Sequence, residues 1–247
     1  MTGKALPDLV LVHGGAHAAD CWDPMIAELR RQEPGLRVLA VDLPGRRNKP
    51  GRLATATIAE WVDSVVADIE QARLGDVVVV GHSMAGVTVP GVVAKLGAGR
   101  VREMVLVAAF VPPQGTSIID SLGGFLGLYS RNVVAFAPRT VRLPAVLARI
   151  GFCTGMTRAQ RRFTLSRMYP DSLGVVCEPV DRSCVPDEVR RSWVLTLNDR
   201  ALSGRSQRAS IAALGGVQTV IAVDACHDVM ISHPERLAEI LIKRCRV

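Results

Sequence analysis

Aromatic residues are scarce in this chain: three Trp, two Tyr and five Phe make up 4% of its 247 positions. Arginine is scattered and forms no basic run with interleaved aromatics, so the stacking platforms and basic tracts of nucleic-acid binders are not expected. The formal net charge of +7 then reads as a solvated surface. None of the six cysteines sits in a C-x-x-C pair or at metal-ligand spacing. No metal site and no disulfide framework is therefore expected, and the chemistry read below implies no organic cofactor. Met1 to Asp8 carry no apolar leader, and the longest apolar stretch, Val77 to Leu96, is interrupted by His82, Ser83, Pro90 and Lys95. No signal region and no membrane span are therefore expected. The expectation is a cytoplasmic protein with reduced thiols, without nucleic-acid or membrane partners. Internal repeats and low-complexity tracts are also missing.

What is present suits one α/β domain with ample material for a core: 49% hydrophobic residues, 22 Gly and 14 Pro. Apolar runs predict strands near 8–12, 37–41, 76–80, 103–108, 192–198 and 217–223. Helical periodicity predicts helices near 22–32, 57–72, 84–97, 203–214 and 234–245. Thr57-Ile58-Ala59-Glu60 and Ser232-His233-Pro234-Glu235 have capping-box spacing. Pro90 inside the third helix predicts a kink. The chain divides into a first core part over 1–110, a looser insertion over 111–186 and a second core part over 187–247.

Gly81-His82-Ser83-Met84-Ala85-Gly86 follows four consecutive valines, Val77 to Val80. The valines read as a strand buried on both faces. A Ser at a sharp strand-to-helix turn flanked by small residues is the layout that lifts a nucleophilic hydroxyl above a sheet. Such a hydroxyl needs a base, and the base an orienting acid. His227 follows the run Val220 to Val223 and precedes the last helix, which places it at the sheet edge where Ser83 emerges. Asp199 ends the preceding strand. The chain order Ser83, Asp199, His227 is that of a nucleophile–acid–base set on such a sheet. Asp224 and Asp228 are rivals for the acid, ranked lower because sequence neighbours rarely turn onto the same imidazole. After the first strand, His13-Gly14-Gly15-Ala16 carries a Gly pair that lets backbone N–H groups face the site. The N–H groups of Gly15 and Met84 are the candidate oxyanion donors.

These segments resemble the α/β-hydrolase superfamily, and within it the small branch of methyl esterases and hydroxynitrile lyases. The resemblance rests on Leu11 to His17 with Cys21-Trp22, Val41 to Gly45, Gly81 to Gly86, Val107 to Pro112, Asn198-Asp199 and His227 to Pro234. It spans the chain except for residues about 120 to 185. It implies an α/β-hydrolase fold: a mostly parallel sheet, helices on both faces and a small helical cap insertion. It also implies hydrolysis of a carboxylic ester through a Ser83 acyl-enzyme. The lyases of this branch carry Thr directly after the first-strand His and Lys directly after the catalytic His. Here those positions are Gly14 and Asp228, and an acid at the second would repel departing cyanide. Dehalogenases and epoxide hydrolases would need Asp where Ser83 stands.

A small-molecule substrate is implied, with candidate contacts at Gly14, His17 and Phe110, and at Phe125 and Tyr129 in the cap. Arg131, Arg139, Arg142, Arg149, Arg158, Arg161, Arg162 and Arg167 concentrate in the cap, which suggests an anionic substrate. Two other functions stay open at this point: a lyase or cyclase acting on a biosynthetic intermediate with the same residues, and a ligand receptor that does not hydrolyse. Oligomeric state is open too, a homo-oligomer included.

Overall fold

The computed structural model describes residues 6–47, 49–136 and 139–247; positions 1–5 of the stretch read for a leader lie outside it. The chain lays down β1 (Asp8–Val12), α1 (Asp23–Gln32), β2 (Val38–Val41), α2 (Ile58–Gln71), β3 (Val77–His82), α3 (Val89–Leu96) and β4 (Val101–Val107). The segment between β4 and the next long strand, called the cap segment below, holds α4 (Ile118–Ser121), α5 (Gly124–Phe136), β5 (Thr140–Val141), α6 (Ala145–Phe152), α7 (Arg158–Ser166), β6 (Asp171–Ser172) and α8 (Leu173–Cys177). The chain then closes with β7 (Arg190–Thr196), α9 (Gly204–Ala213), β8 (Thr219–Val223), α10 (Val229–Ser232) and α11 (Pro234–Cys245). The six long strands form one sheet in the order β2-β1-β3-β4-β7-β8, every pairing parallel. The two short cap strands pair antiparallel.

The unbroken valine run of β3 has a simple cause. Side chains alternate along a strand, so a strand covered on both faces needs apolar groups at every position. Val77 and Val79 face a core shared with Trp61, Val65 and Ile69 of α2 and Val89, Val92 and Val93 of α3. Val78 and Val80 face the opposite core, built from Trp22, Met25 and Leu29 with Leu237 and Leu241 of α11. Helix α2 begins where the sequence signals it: Thr57 Oγ1 accepts from Glu60 N at 3.1 Å and Glu60 Oε2 from Thr57 N at 3.0 Å.

Two local expectations are corrected. The kink at Pro90 is instead a break: a 3-10 turn, Ser83–Val87, ends before α3 begins. Pro90 then falls in the first turn of α3, where its missing N–H has no intrahelical acceptor to lose. The second capping box also fails. Ser232 closes α10, and α11 starts at Pro234 behind His233, with no side-chain cap bond.

Register fixes what meets at the carboxyl edge. Val12 pairs with Gly81 and His82 with Val107, so the loop after β1 leaves the sheet beside Ser83. Packing there is close. A Cβ on Gly81 would sit 2.7 Å from Val89 Cγ2, and one on Gly86 only 2.3 Å from the backbone oxygen of Phe110. We expect Gly86→Ala to destabilise the fold by about 1–3 kcal/mol, since a backbone atom cannot step aside. Gly35→Ala, with open space around it, should stay within about 0.5 kcal/mol of wild type. Urea unfolding of both variants checks this, and equal midpoints would refute it.

Candidate active site

Ser83 sits at φ +52°, a left-handed backbone for a residue with a Cβ. That conformation costs roughly 1–3 kcal/mol and persists only where the surroundings impose it. Here the Phe110 N–H donates to Ser83 O at 2.9 Å, and the loop after β1 lies directly against the turn. A Cβ on Gly14 would be 2.7 Å from Ser83 Cβ and 2.8 Å from His82 O. Gly14 is thus required by contact with the elbow. Contrary to the sequence expectation, it does not line the cavity above Ser83.

His227 comes from the loop after β8, and Asp199 from the loop after β7. His227 Nε2 lies 2.8 Å from Ser83 Oγ, and its Nδ1 2.8 Å from Asp199 Oδ2. The Asp199 carboxylate is held in place. Oδ1 accepts from the Ala201 and Leu202 N–H groups at 2.8 and 2.7 Å, and Oδ2 from Thr196 Oγ1 at 2.9 Å. A carboxylate can only accept, so Nδ1 carries the proton and Nε2 is free to take one from Ser83. The two rival acids are engaged elsewhere. Asp224 is exposed and bonded to the Asn198 amide, and Asp228 accepts from His17 Nε2 at 3.1 Å.

Such an arrangement of hydroxyl, imidazole and carboxylate at the carboxyl edge of a parallel sheet fits acyl transfer. The family model of the alpha/beta hydrolases matches residues 9–240. The chain belongs to that family. A curated relative, the carbendazim hydrolyzing esterase of Nocardioides sp. (strain SG-4G), is 29% identical, with 95% of this chain and 98% of the relative covered. A probable esterase of Oryza sativa subsp. indica is 25% identical, with 95% of each covered. Among solved structures, an extracellular alpha/beta-hydrolase from a Paenibacillus species superposes with a TM-score of 0.84 at 23% identity, covering 98% of this chain and all of that one. An Arabidopsis methylesterase gives 0.77 at 18%, covering 96% and 98%. The hydrolase fold is shared with both. Kinship with esterases supports ester hydrolysis.

In this hydrolase the cavity at Ser83 measures about 120 Å³ and is roofed by the cap segment. Gly15, Met84, Phe110 and Tyr129 line it; Phe125 does not, its ring packing instead against Gly151. His17 is also absent from the wall. It is buried, bonded to Asp228 and packed on Phe152 at 5.6 Å. Sequence reasoning missed Asp171, Ile118, Leu143 and Leu173, which line the cavity. These four lie in a segment whose short helices carry no clear period. The cap arginines do not line it. Arg149, Arg158, Arg161 and Arg162 sit in separate surface grooves, while Arg131 and Arg142 donate to the backbone oxygens of Leu122 and Met168. Asp171 is the one charged residue on the cavity wall among the described residues.

Electrostatics separate the buried histidines. Burial, then His227, push His82 down to about 3, so it is neutral, and its Nε2–H donates to His227 O at 3.0 Å. Burial also pulls His227 down, but the Asp199 charge and hydrogen bond, with Asp228 behind, raise it above its ordinary value overall. Burial would raise Asp228, yet His17, His82 and His227 together hold it below the usual carboxylate range. His82, His227 and Asp228 approach within 4.8 Å, and hydrogen bonds engage both nitrogens of His227, Nε2 of His82 and Oδ1 of Asp228. Replacing Asp199 by Asn removes the negative charge that does most to raise His227 and leaves the burial that lowers it. The His227 titration followed by NMR should therefore move to lower pH in Asp199→Asn. An unmoved titration would assign the orienting role elsewhere.

Proposed function

We propose that this hydrolase cleaves an uncharged carboxylic ester of a small molecule through an acyl-enzyme on Ser83. The observation that carries the reading is the unbroken chain Ser83 Oγ, His227, Asp199, with both links at 2.8 Å. His227 Nε2 takes the Ser83 proton as Oγ attacks the ester carbonyl, and Asp199 stabilises the imidazolium formed. The negative charge on the former carbonyl oxygen is met by the N–H groups of Gly15 and Met84. Met84 is the second residue of the turn Ser83–Val87, so its N–H has no intrahelical acceptor. The tetrahedral intermediate collapses, the C–O bond to the alcohol breaks and the imidazolium returns its proton to the leaving oxygen. Water then attacks the acyl-enzyme by the same route, with His227 again as base, and frees Ser83 and the acid.

Substrate character follows from the walls. Apolar side chains dominate them, including Phe110, Leu126, Phe152 and Leu173. The arginines that suggested an anionic substrate lie elsewhere, so a neutral, largely apolar ester fits better. A cavity of about 120 Å³ is small beside typical ligand pockets, which favours a short group on the enclosed side. Lyase chemistry is disfavoured because Asp228, in the place of the lyases' Lys, is buried and ionised against His17.

A panel of p-nitrophenyl esters tests the reading. Short neutral acyl groups should turn over faster than long or carboxylate-bearing ones. Ser83→Ala should lower kcat on the order of 10⁶ and Asp199→Asn on the order of 10⁴, by analogy with other triads. Intact mass should show an acyl adduct on Ser83 with a slow substrate. Undiminished turnover in Ser83→Ala would end the proposal.

A further inference from the structure

The loop that carries Gly15 is held in an unusual way. Ala16 has φ +59°, a left-handed backbone that a residue with a Cβ rarely adopts. Both of its backbone polar groups are claimed by one short stretch of the cap segment. Tyr169 N donates to Ala16 O at 2.9 Å, and the Ala16 N–H donates to Asp171 Oδ2. That carboxylate lies against the neighbouring glycine as well: a Cβ on Gly15 would be 3.2 Å from Asp171 Oδ2 and 3.5 Å from Met84 Sδ. Asp171 therefore lies beside Gly15, whose N–H is one of the two proposed oxyanion donors.

A lone carboxylate there would oppose the reaction, because negative charge grows on the substrate oxygen in the transition state. The structure supplies a counter-charge. Arg46 is fully buried, and its Nη2 donates to Asp171 Oδ1. Its Nε donates to His17 O at 3.1 Å, and its guanidinium lies over the Trp61 ring at 5.6 Å. Arg46 Nη1 is buried without a hydrogen-bond partner among the described residues, so Asp171 provides its single carboxylate contact there. The loop is thus tied at Ala16 N, Ala16 O and His17 O by two side chains and one backbone amide.

We propose that Arg46 and Asp171 form a charge-compensated clamp on the oxyanion loop. Asp171 fixes the left-handed turn that aims the Gly15 N–H, and Arg46 cancels the negative charge this places beside the developing oxyanion. Both are positioning residues, since neither has to touch the reacting atoms. The clamp also sets selectivity: the paired wall is neutral overall, whereas breaking the pair from either side leaves a net charge on it. The inference rests on the acyl-transfer reading above.

A double-mutant cycle on a neutral p-nitrophenyl ester tests it, with each protein's folded fraction measured. Arg46→Met keeps the bulk but strands the Asp171 charge. Its kcat should fall about 10- to 100-fold with KM within about threefold of wild type, as expected when a charge acts on the transition state alone. Arg46→Met/Asp171→Asn removes both charges and should regain at least tenfold over the single variant. A double variant no faster than Arg46→Met, or a loss carried by KM, would overturn the clamp. Should Arg46→Met fail to fold, Asp171→Asn supplies an independent measure. It leaves Arg46 uncompensated, so the kcat/KM ratio of a carboxylate-bearing to a size-matched neutral ester should rise at least tenfold. A packing role would lower both alike, and an unchanged ratio would refute the proposal. Ser83→Ala on the same esters tests the acyl-transfer reading separately, so either can fail without the other.

Discussion

The backbone of Ser83, turned to φ +52° at the end of the central strand β3, is the constraint on which the site depends. A turn that tight brings three chain segments almost into contact. The loop after β1 passes over it at Gly14, α3 backs onto it behind Gly81, and the extension of β4 meets it at Gly86. Each glycine stands where a Cβ would collide. The strain is carried by a sheet packed on both faces, whose strands are held in register by the cores on either side. A structure that stores local strain at one residue needs such rigidity around it.

The same edge gathers charge in an ordered way. Ser83 and His227 are followed by Asp199, and behind His227 lie His82 and Asp228. Burial, with His227 beside it, keeps His82 neutral, while the neighbouring histidines hold Asp228 ionised against the burial that opposes it. Phe152 of α6 stacks on the His227 ring at 5.0 Å, so the cap segment shields that buried imidazole from water as well as roofing the cavity. Dry surroundings strengthen the interactions among these groups.

Much of this was legible in the sequence because it rests on local rules. Four valines in a row announce a strand covered on both faces, and Gly81-His82-Ser83 announces the turn. Asp199 and His227 follow apolar β-branched runs, so their position at the carboxyl edge could be inferred from strand endings alone. The failures are instructive for the same reason. Ser232 and Glu235 have the spacing of a capping box, but α10 uses Ser232 first, and helix termination there is settled by packing. Pro90 predicts a kink only if the helix runs through it, and the strained turn at Ser83 breaks the helix beforehand.

By itself the sequence determined the strands of the sheet, the helices between them and the placing of Ser83, Asp199 and His227 at strand ends, because strand periodicity and turn chemistry act between near neighbours. Only the tertiary structure decided what stands around Ser83. Gly14 and His17 look like wall residues in the chain, yet one is fixed by contact with the elbow and the other by pairing with Asp228, 211 positions away. Asp171 and Arg46 carry no motif, and they meet across 125 positions. The arginines of the cap segment look like a substrate's counter-charge until the fold turns them away from the cavity. Contacts of that kind depend on which faces of distant segments are brought together, and no local pattern of residues encodes them.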